Sequence, residues 1–232
     1  MAERSALLTK FARAVALSQE SEELSWRLCD ASRQVLGADG AAITVDNDSP
    51  NRVTLAATDT VAARLEDLQD VLVEGPALDA YRTGSVVQAH LPSERQRWPL
   101  FVEGALRTTK ASTVVALPMR SGEAILGVLS LYLVQRTELS EPLEAALLVA
   151  DALAVALLHD PGAHSDLGLG GSWSNRAVVH QATGMVVAQL RLPVGDALAV
   201  LRAHAFVLDT DLGDVAKAVV DRTLVFEREE HP

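Results

Sequence analysis

Two apolar runs of strand length, Ser112 to Met119 and Ala124 to Leu133, stand with only Arg120-Ser121-Gly122-Glu123 between them. Runs this short, rich in Val, Leu and Ile and joined by a polar link containing glycine, pair antiparallel. Two shorter β-type runs, Ala41 to Val45 and Val53 to Ala57, flank Asp46-Asn47-Asp48-Ser49-Pro50, a turn by composition, and form a second hairpin. Val86 to Ala89 adds a brief strand.

Helical periodicity fills the space between these strands. Glu3 to Ser18 carries Leu7, Leu8, Phe11 and Val15 at steps of three and four, and Glu22 to Leu36 carries Leu24, Leu28, Ala31 and Val35, with Gly37 as its stop. Val61 to Val71, Ala77 to Arg82 and a stretch around Leu100 to Leu106 also read as helices, the first stopped by Glu74-Gly75-Pro76 and the second by Gly84. The order helix, hairpin, helices, hairpin, helix specifies an α+β fold, an antiparallel sheet flanked by helices.

Glu141 to His159 is the most regular helix, with Leu143, Leu147, Ala150, Ala154 and Leu157 at alternating three- and four-residue steps. Such a seam either covers the sheet or, with the helix at Glu3 to Ser18, builds a helical homodimer interface; the dimer is the expectation. Asp160 to Ser172, rich in glycine, reads as a flexible linker. Its Gly168-Leu169-Gly170-Gly171 cluster follows a helix and lacks a Gly-Lys-Ser/Thr element, so it is not a phosphate loop. Three helices follow, Ser174 to Leu190, Val194 to Leu208 and Leu212 to about Glu227, with Asp211 as the N-cap of the last. Connections this short force the three to pack as a bundle. The expected organisation is an N-terminal helix at 1–20, an α+β domain at 21–159, a linker at 160–172 and an all-α three-helix domain at 173–232.

Hydrophobic residues at 49% and charged residues at 22% belong to a folding chain, and no apolar run approaches the ~20 residues of a membrane span. Residues Met1 to Lys10 contain no signal-peptide core, so the expected location is the cytoplasm, with no membrane partner. A formal net charge of −11 excludes non-specific coating of nucleic acid and confines any contact to a local patch. Cys29 is the only cysteine, which rules out an internal disulfide and a cysteine zinc site; it reads as a buried apolar residue.

In the front part, Leu36-Gly37-Ala38-Asp39-Gly40-Ala41-Ala42-Ile43, Glu74-Gly75-Pro76, Arg82-Thr83-Gly84-Ser85-Val86-Val87, Pro118 and Leu126-Gly127-Val128-Leu129 together resemble a GAF domain over Ser21 to His159. The resemblance implies a sensor for a small molecule or a protein signal, without naming the ligand. In the tail, Trp173-Ser174-Asn175-Arg176, Gln181-Ala182-Thr183-Gly184-Met185, Ala197 with Leu201-Arg202 and Ala205, then Leu212, Asp214-Val215-Ala216 and Val219 resemble an ANTAR domain over Trp173 to Phe226. That resemblance implies binding of RNA hairpins and prevention of transcription terminators, as in actinobacterial-type GAF-ANTAR regulators. Many ANTAR domains have a lysine before the glycine of the first helix; here the position is Thr183.

A helical projection of the first tail helix puts Val178, Val179, Ala182, Met185, Val186 and Leu190 on a core face, and Arg176, His180, Thr183 or Gly184, and Val187 opposite. Gly184 costs about 1 kcal/mol relative to alanine, which points to close approach at its backbone by a partner or by a neighbouring helix. The second helix turns Ala197, Leu198, Leu201 and Ala205 inward and leaves Arg202 and His204 outside; the third leaves Lys217, Asp221 and Arg222 outside. With the resemblance, Arg176, Arg202, Lys217 and Arg222 become candidates for RNA phosphate contacts, and His180, Thr183, Gly184 and His204 complete the RNA-facing set. The charge of the tail opposes this: from Trp173 onward six Lys and Arg face eight Asp and Glu, a net of −2.

There is no Gly-x-Ser-x-Gly elbow and no His-Glu-x-x-His pair, so no enzyme, catalytic residue, metal site or cofactor is expected. His90 as a haem ligand is set aside as a loop residue. Besides a signal-responsive antiterminator, two readings stay open: a sensor whose helical tail binds another protein, and a DNA-binding helix-turn-helix regulator.

Overall fold

A computed structural model of the chain describes residues 2–18, 23–45, 52–159 and 173–226, without the side chains of residues 2–3, 173–177 and 180. It divides into two compact units, Met1–Leu167 and Gly168–Pro232. The turn expected at Asp46 to Pro50 and the linker expected at Asp160 to Ser172 lie outside the described residues.

The first unit is built on a five-stranded antiparallel sheet. Its strands are β1 (Gly40–Val45), β2 (Val53–Ala57), β3 (Val87–His90), β4 (Thr113–Ser121) and β5 (Ala124–Leu133), in the order β2-β1-β5-β4-β3. The long hairpin supplies two of the three inner strands, β5 and β4, with Val115 opposite Leu131 and Leu117 opposite Leu129. The strands run further into the link than the sequence suggests: the ladder continues through Arg120–Ile125 and Ser121–Ala124, and only Gly122-Glu123 turns the chain, with Gly122 at φ 64°.

Both faces of the sheet are covered, which is why its strands read as almost continuous apolar runs. Alternation along β4 and β5 sends Val115, Leu117, Met119, Leu129, Leu131 and Leu133 to one face, which α2 (Leu24–Leu36) and α6 (Leu143–Leu158) cover, with α1 (Ala2–Leu17) packed on those two helices. It sends Val114, Ala116, Val128 and Tyr132 to the other, against α3 (Thr60–Leu72), α4 (Pro76–Thr83), α5 (Pro99–Thr108) and Trp98. A short 3-10 turn at Leu91–Ser93 leads from β3 toward α5.

The seam on α6 faces inward. Ala150, Ala154 and Leu157 are buried within the unit, and Leu143 and Leu147 pack partly buried against the same core. Leu7 and Phe11 of α1 are buried in the same cluster, where α1 packs on α2 and α6, so the dimer interface expected along these residues is corrected: they are used inside the unit. Cys29 is fully buried as expected, and burial pushes its thiol above the usual range, which keeps it in the inert protonated form.

The second unit consists of α7 (Trp173–Leu190), α8 (Val194–Leu208) and α9 (Leu212–Val220). Val179, Ala182, Val186, Ala197, Leu198, Leu201, Ala205, Val215, Ala216 and Val219 are its buried apolar residues. These agree with the faces read from periodicity. Asp211 caps α9, accepting from the amide of Asp214 at 2.7 Å. The third helix stops at Val220, well short of Glu227, because the chain turns over through Arg222 in the left-handed region at φ 59°.

Candidate nucleic-acid interface

The surface of the three-helix unit is set by how its polar residues are used. Thr183 does not lie on the outer face. Its side chain is buried, with only 6% exposed, and its hydroxyl donates to the Val179 carbonyl at 2.7 Å, so the expected contact at this position is corrected. A short hydroxyl satisfied by the preceding turn can be buried where a lysine could not.

Gly184, one residue on, is exposed, and a β-carbon built on it would meet nothing within 4 Å. Among the described residues no neighbouring helix therefore requires glycine here. Of the two causes for its presence, packing of a neighbouring helix is removed, and an open approach to the backbone of α7 remains.

Arg202 and His204 are half-buried, against the expectation that both point to solvent. Arg202 has an interaction within the protein, and the His204 ring meets Phe226 edge-on, with centroids 5.2 Å apart. Projection from one helix misses this because the cover comes from the turn after α9. Arg176 and His180 have side chains outside the described residues. Lys217 and Arg222 are exposed, as expected.

The turn after α9 also brings together what the sequence kept apart. The Phe226 amide donates to Gln189 Oε1 at 3.2 Å, which ties residues 221–226 to the C-terminal end of α7. Arg191 sits at that end, exposed and at φ 55°. Arg191, Arg222 and Lys217, in the last turn of α9, thus supply exposed cations toward one end of the bundle. Arg191 is not among the residues singled out from the sequence, because it stands outside the helical stripes.

In the first unit the notable polar group is Glu66 on α3, 3% exposed. It accepts from Thr44 Oγ1 at 2.9 Å, from Arg52 Nη2 at 3.1 Å and from Gln69 Nε2 at 3.0 Å, and Gln69 Oε1 in turn accepts the Ala77 amide at 2.7 Å. Beside it, between α3 and the sheet, lies a void of only about 10 Å³ lined by Ala42, Leu65, Glu66, Val114, Ser130 and Tyr132 among others. Ligand pockets generally run to roughly 300–1,000 Å³, so a nucleotide-sized signal would have to displace α3 to enter here. His90 is exposed, with Nδ1 3.4 Å from Thr113 Oγ1.

No single helix among the described residues is long and apolar enough to cross a membrane; the apolar pair Gln181–Leu190 and Val194–Leu208 is bent by 105° between its members.

Comparison with known proteins agrees with this division. The family model for the GAF domain matches residues 18–158, and that for the ANTAR domain matches residues 171–220. Among solved structures, the GAF domain from Acinetobacter phosphoenolpyruvate-protein phosphotransferase is 14% identical, covering 71% of this chain and 96% of that one at a TM-score of 0.50. The GAF domain of a phosphoenolpyruvate-protein phosphotransferase from Coxiella burnetii is 15% identical, covering 70% of this chain and 96% of that one, also at a TM-score of 0.50. At such identities these two speak for the fold alone. No curated protein matches the chain significantly. Together, the five-stranded antiparallel sheet with its flanking helices and the match over 18–158 establish that this chain belongs to the GAF-domain family, with an ANTAR domain as its C-terminal unit.

Proposed function

We propose that this protein is a signal-responsive transcription antiterminator, in which the GAF domain controls the binding of RNA hairpins by the ANTAR domain. The observation that carries the reading is the ANTAR match over three packed helices whose outer surface leaves the backbone at Gly184 open. Lys217 and Arg222, joined by Arg191, are the phosphate contacts of this reading, and Arg202 and His204 hold the surface in shape from its half-buried side. The protein is not an enzyme and needs no cofactor for this work. Terminators form on nascent RNA, which places its action in the cytoplasm and away from any membrane.

The active form is a homodimer. Apart from Glu144 and Asp151, α6 consists of Leu, Ala and Val, and its inward seam leaves Leu148 half-buried and Val155 exposed, seven residues apart on the outer side. A helix apolar all round wants cover on that side too. Leu148→Glu with Val155→Glu is expected to give a monomer by light scattering; a dimer that survives both changes places the interface elsewhere.

A second reading, that the tail binds a protein, is favoured by its net charge of −2 and by Val207 and Leu208, 76% and 58% exposed at the end of α8. In vitro transcription across a terminator, on templates whose transcripts crosslink to the protein in its native cell, separates the two. Antitermination predicts more read-through in its presence. Unchanged read-through, with no RNA recovered by crosslinking, favours the protein partner.

A further inference from the structure

We infer that Arg120 is a mechanical link that joins the helix layers on opposite faces of the GAF sheet. The inference goes beyond RNA binding and holds whatever the ANTAR unit binds.

The link begins at an irregular stretch of the sheet. The β4–β5 register shifts between Met119 and Arg120, where Leu126 is the extra residue on β5 and Arg120 itself pairs with Ile125. On its other side β4 pairs with β3 only as far as Ala116, so the partly buried Arg120 amide has no strand partner there and needs another acceptor. Asp151 of α6 supplies it: the Arg120 amide donates to Asp151 Oδ1 at 3.2 Å. The Arg120 side chain reaches the other layer, where its Nη2 donates to the Gly84 carbonyl at 2.7 Å. Gly84 is the left-handed C-cap of α4, at φ 64°, and a cation suits the carbonyl end of a helix.

One residue is therefore held by its backbone to α6 and by its side chain to α4. These helices share no core: α4 packs with Ala42, Val114 and Ala116, whereas α6 packs with Val115, Leu117 and Leu131. The link also accounts for Asp151, an acid in the middle of a helix whose only other polar residue is Glu144 in its first turn, where aspartate is a weak helix former. Displacement of the α4 C-terminus pulls on Arg120, and Arg120 pulls on the helix that ends at Leu158. In thermodynamic terms, the opening of α4 and the opening of α6 near Asp151 are coupled, and the coupling is reciprocal.

Hydrogen exchange on the full-length chain tests this in both directions. Arg120→Ala removes the bond to Gly84 and leaves the amide of residue 120 and Asp151 in place. Exchange is expected to rise about threefold to tenfold at residues 149–155 of α6 as well as at 84–86, a range equivalent to roughly 0.6–1.4 kcal/mol of coupling. Asp151→Ala removes only the α6 side and is expected to raise exchange at 84–86, across the sheet, by a similar factor while α3 stays at its wild-type rate. Effects confined to the mutated face in both variants overturn the link. If Arg120→Ala loses protection throughout the unit, the Asp151→Ala result decides alone: faster exchange at 84–86 supports the link, and unchanged exchange there overturns it.

Discussion

The Tyr132 hydroxyl donates to Asp59 Oδ2 at 2.7 Å while Asp59 Oδ1 accepts the Ala62 amide at 2.8 Å, so one carboxylate both caps α3 and pins it to β5. The ring of Tyr132 reaches Asp59 by crossing Gly40, where a β-carbon would collide with it. Tyr132→Phe is expected to cost about 1.5–3 kcal/mol, the price of one hydrogen bond to a charged group. Asp59→Ala should cost more, because it removes a cap worth about 1 kcal/mol as well. Chemical denaturation of the full-length chain measures both.

The same pair carries a pH signature. Burial first, and then the bond to Asp59 and its negative charge, raise the Tyr132 phenol above its usual value near 10. The folded chain holds this proton more tightly than the unfolded one, so the stabilisation is fully present below pH ~10 and is lost as pH rises from there toward the raised folded value. Tyr132→Phe should therefore flatten the alkaline fall of the melting temperature. An identical alkaline profile in the two proteins would contradict the assignment.

Glu66 and Arg52 form an ion pair with side chains 3% and 8% exposed. Removing one partner leaves a buried charge uncompensated, so Glu66→Ala or Arg52→Ala is expected to destabilise the chain by about 3–5 kcal/mol. Glu66→Leu with Arg52→Met should cost much less than the sum of the single changes. Additive losses in a double-mutant cycle would show that the pair is not coupled.

Gly184→Ala separates folding from binding. Nothing within 4 Å opposes the new methyl group, and alanine is the better helix former, so α7 should gain about 0.5–1 kcal/mol. RNA affinity should fall if the open backbone is approached by RNA. A variant that is more stable and binds hairpin RNA as well as wild type would remove Gly184 from the interface.

Much of this was legible in the chain because each local signal agreed with the fold around it. The long hairpin, the paired shorter hairpin, the Asp211 cap and the inward faces of α7, α8 and α9 follow from periodicity and turn chemistry. The α6 seam was legible as apolar but not in its direction, since the same spacing serves a sheet cover and a dimer. The site was less legible, because exposure depends on elements remote in sequence. His204 lies under Phe226, Thr183 gives its hydroxyl to the Val179 carbonyl, and the Gln189–Phe226 bond forms only through the turn that ends α9 early. Arg120 stands in a polar link and Asp151 in the middle of a mostly apolar helix, but only the packing of α6 on β4 brings them together.

The central claim, that the ANTAR unit lends the chain affinity for RNA hairpins, is tested most directly by gel shift of the full-length protein against hairpin RNA and duplex DNA over a salt series. With Arg191, Lys217 and Arg222 as the exposed cations of this unit among the described residues, log affinity for the hairpin should fall against log salt with a slope of about −2, taking ~0.7 per phosphate. Lys217→Ala should flatten the slope by roughly 0.7 and weaken all loop sequences alike, because a phosphate contact carries little base information. Preference for the hairpin over the duplex with this shallow slope is the predicted result; equal binding of duplex DNA, or no binding of RNA even at low salt, would contradict the account.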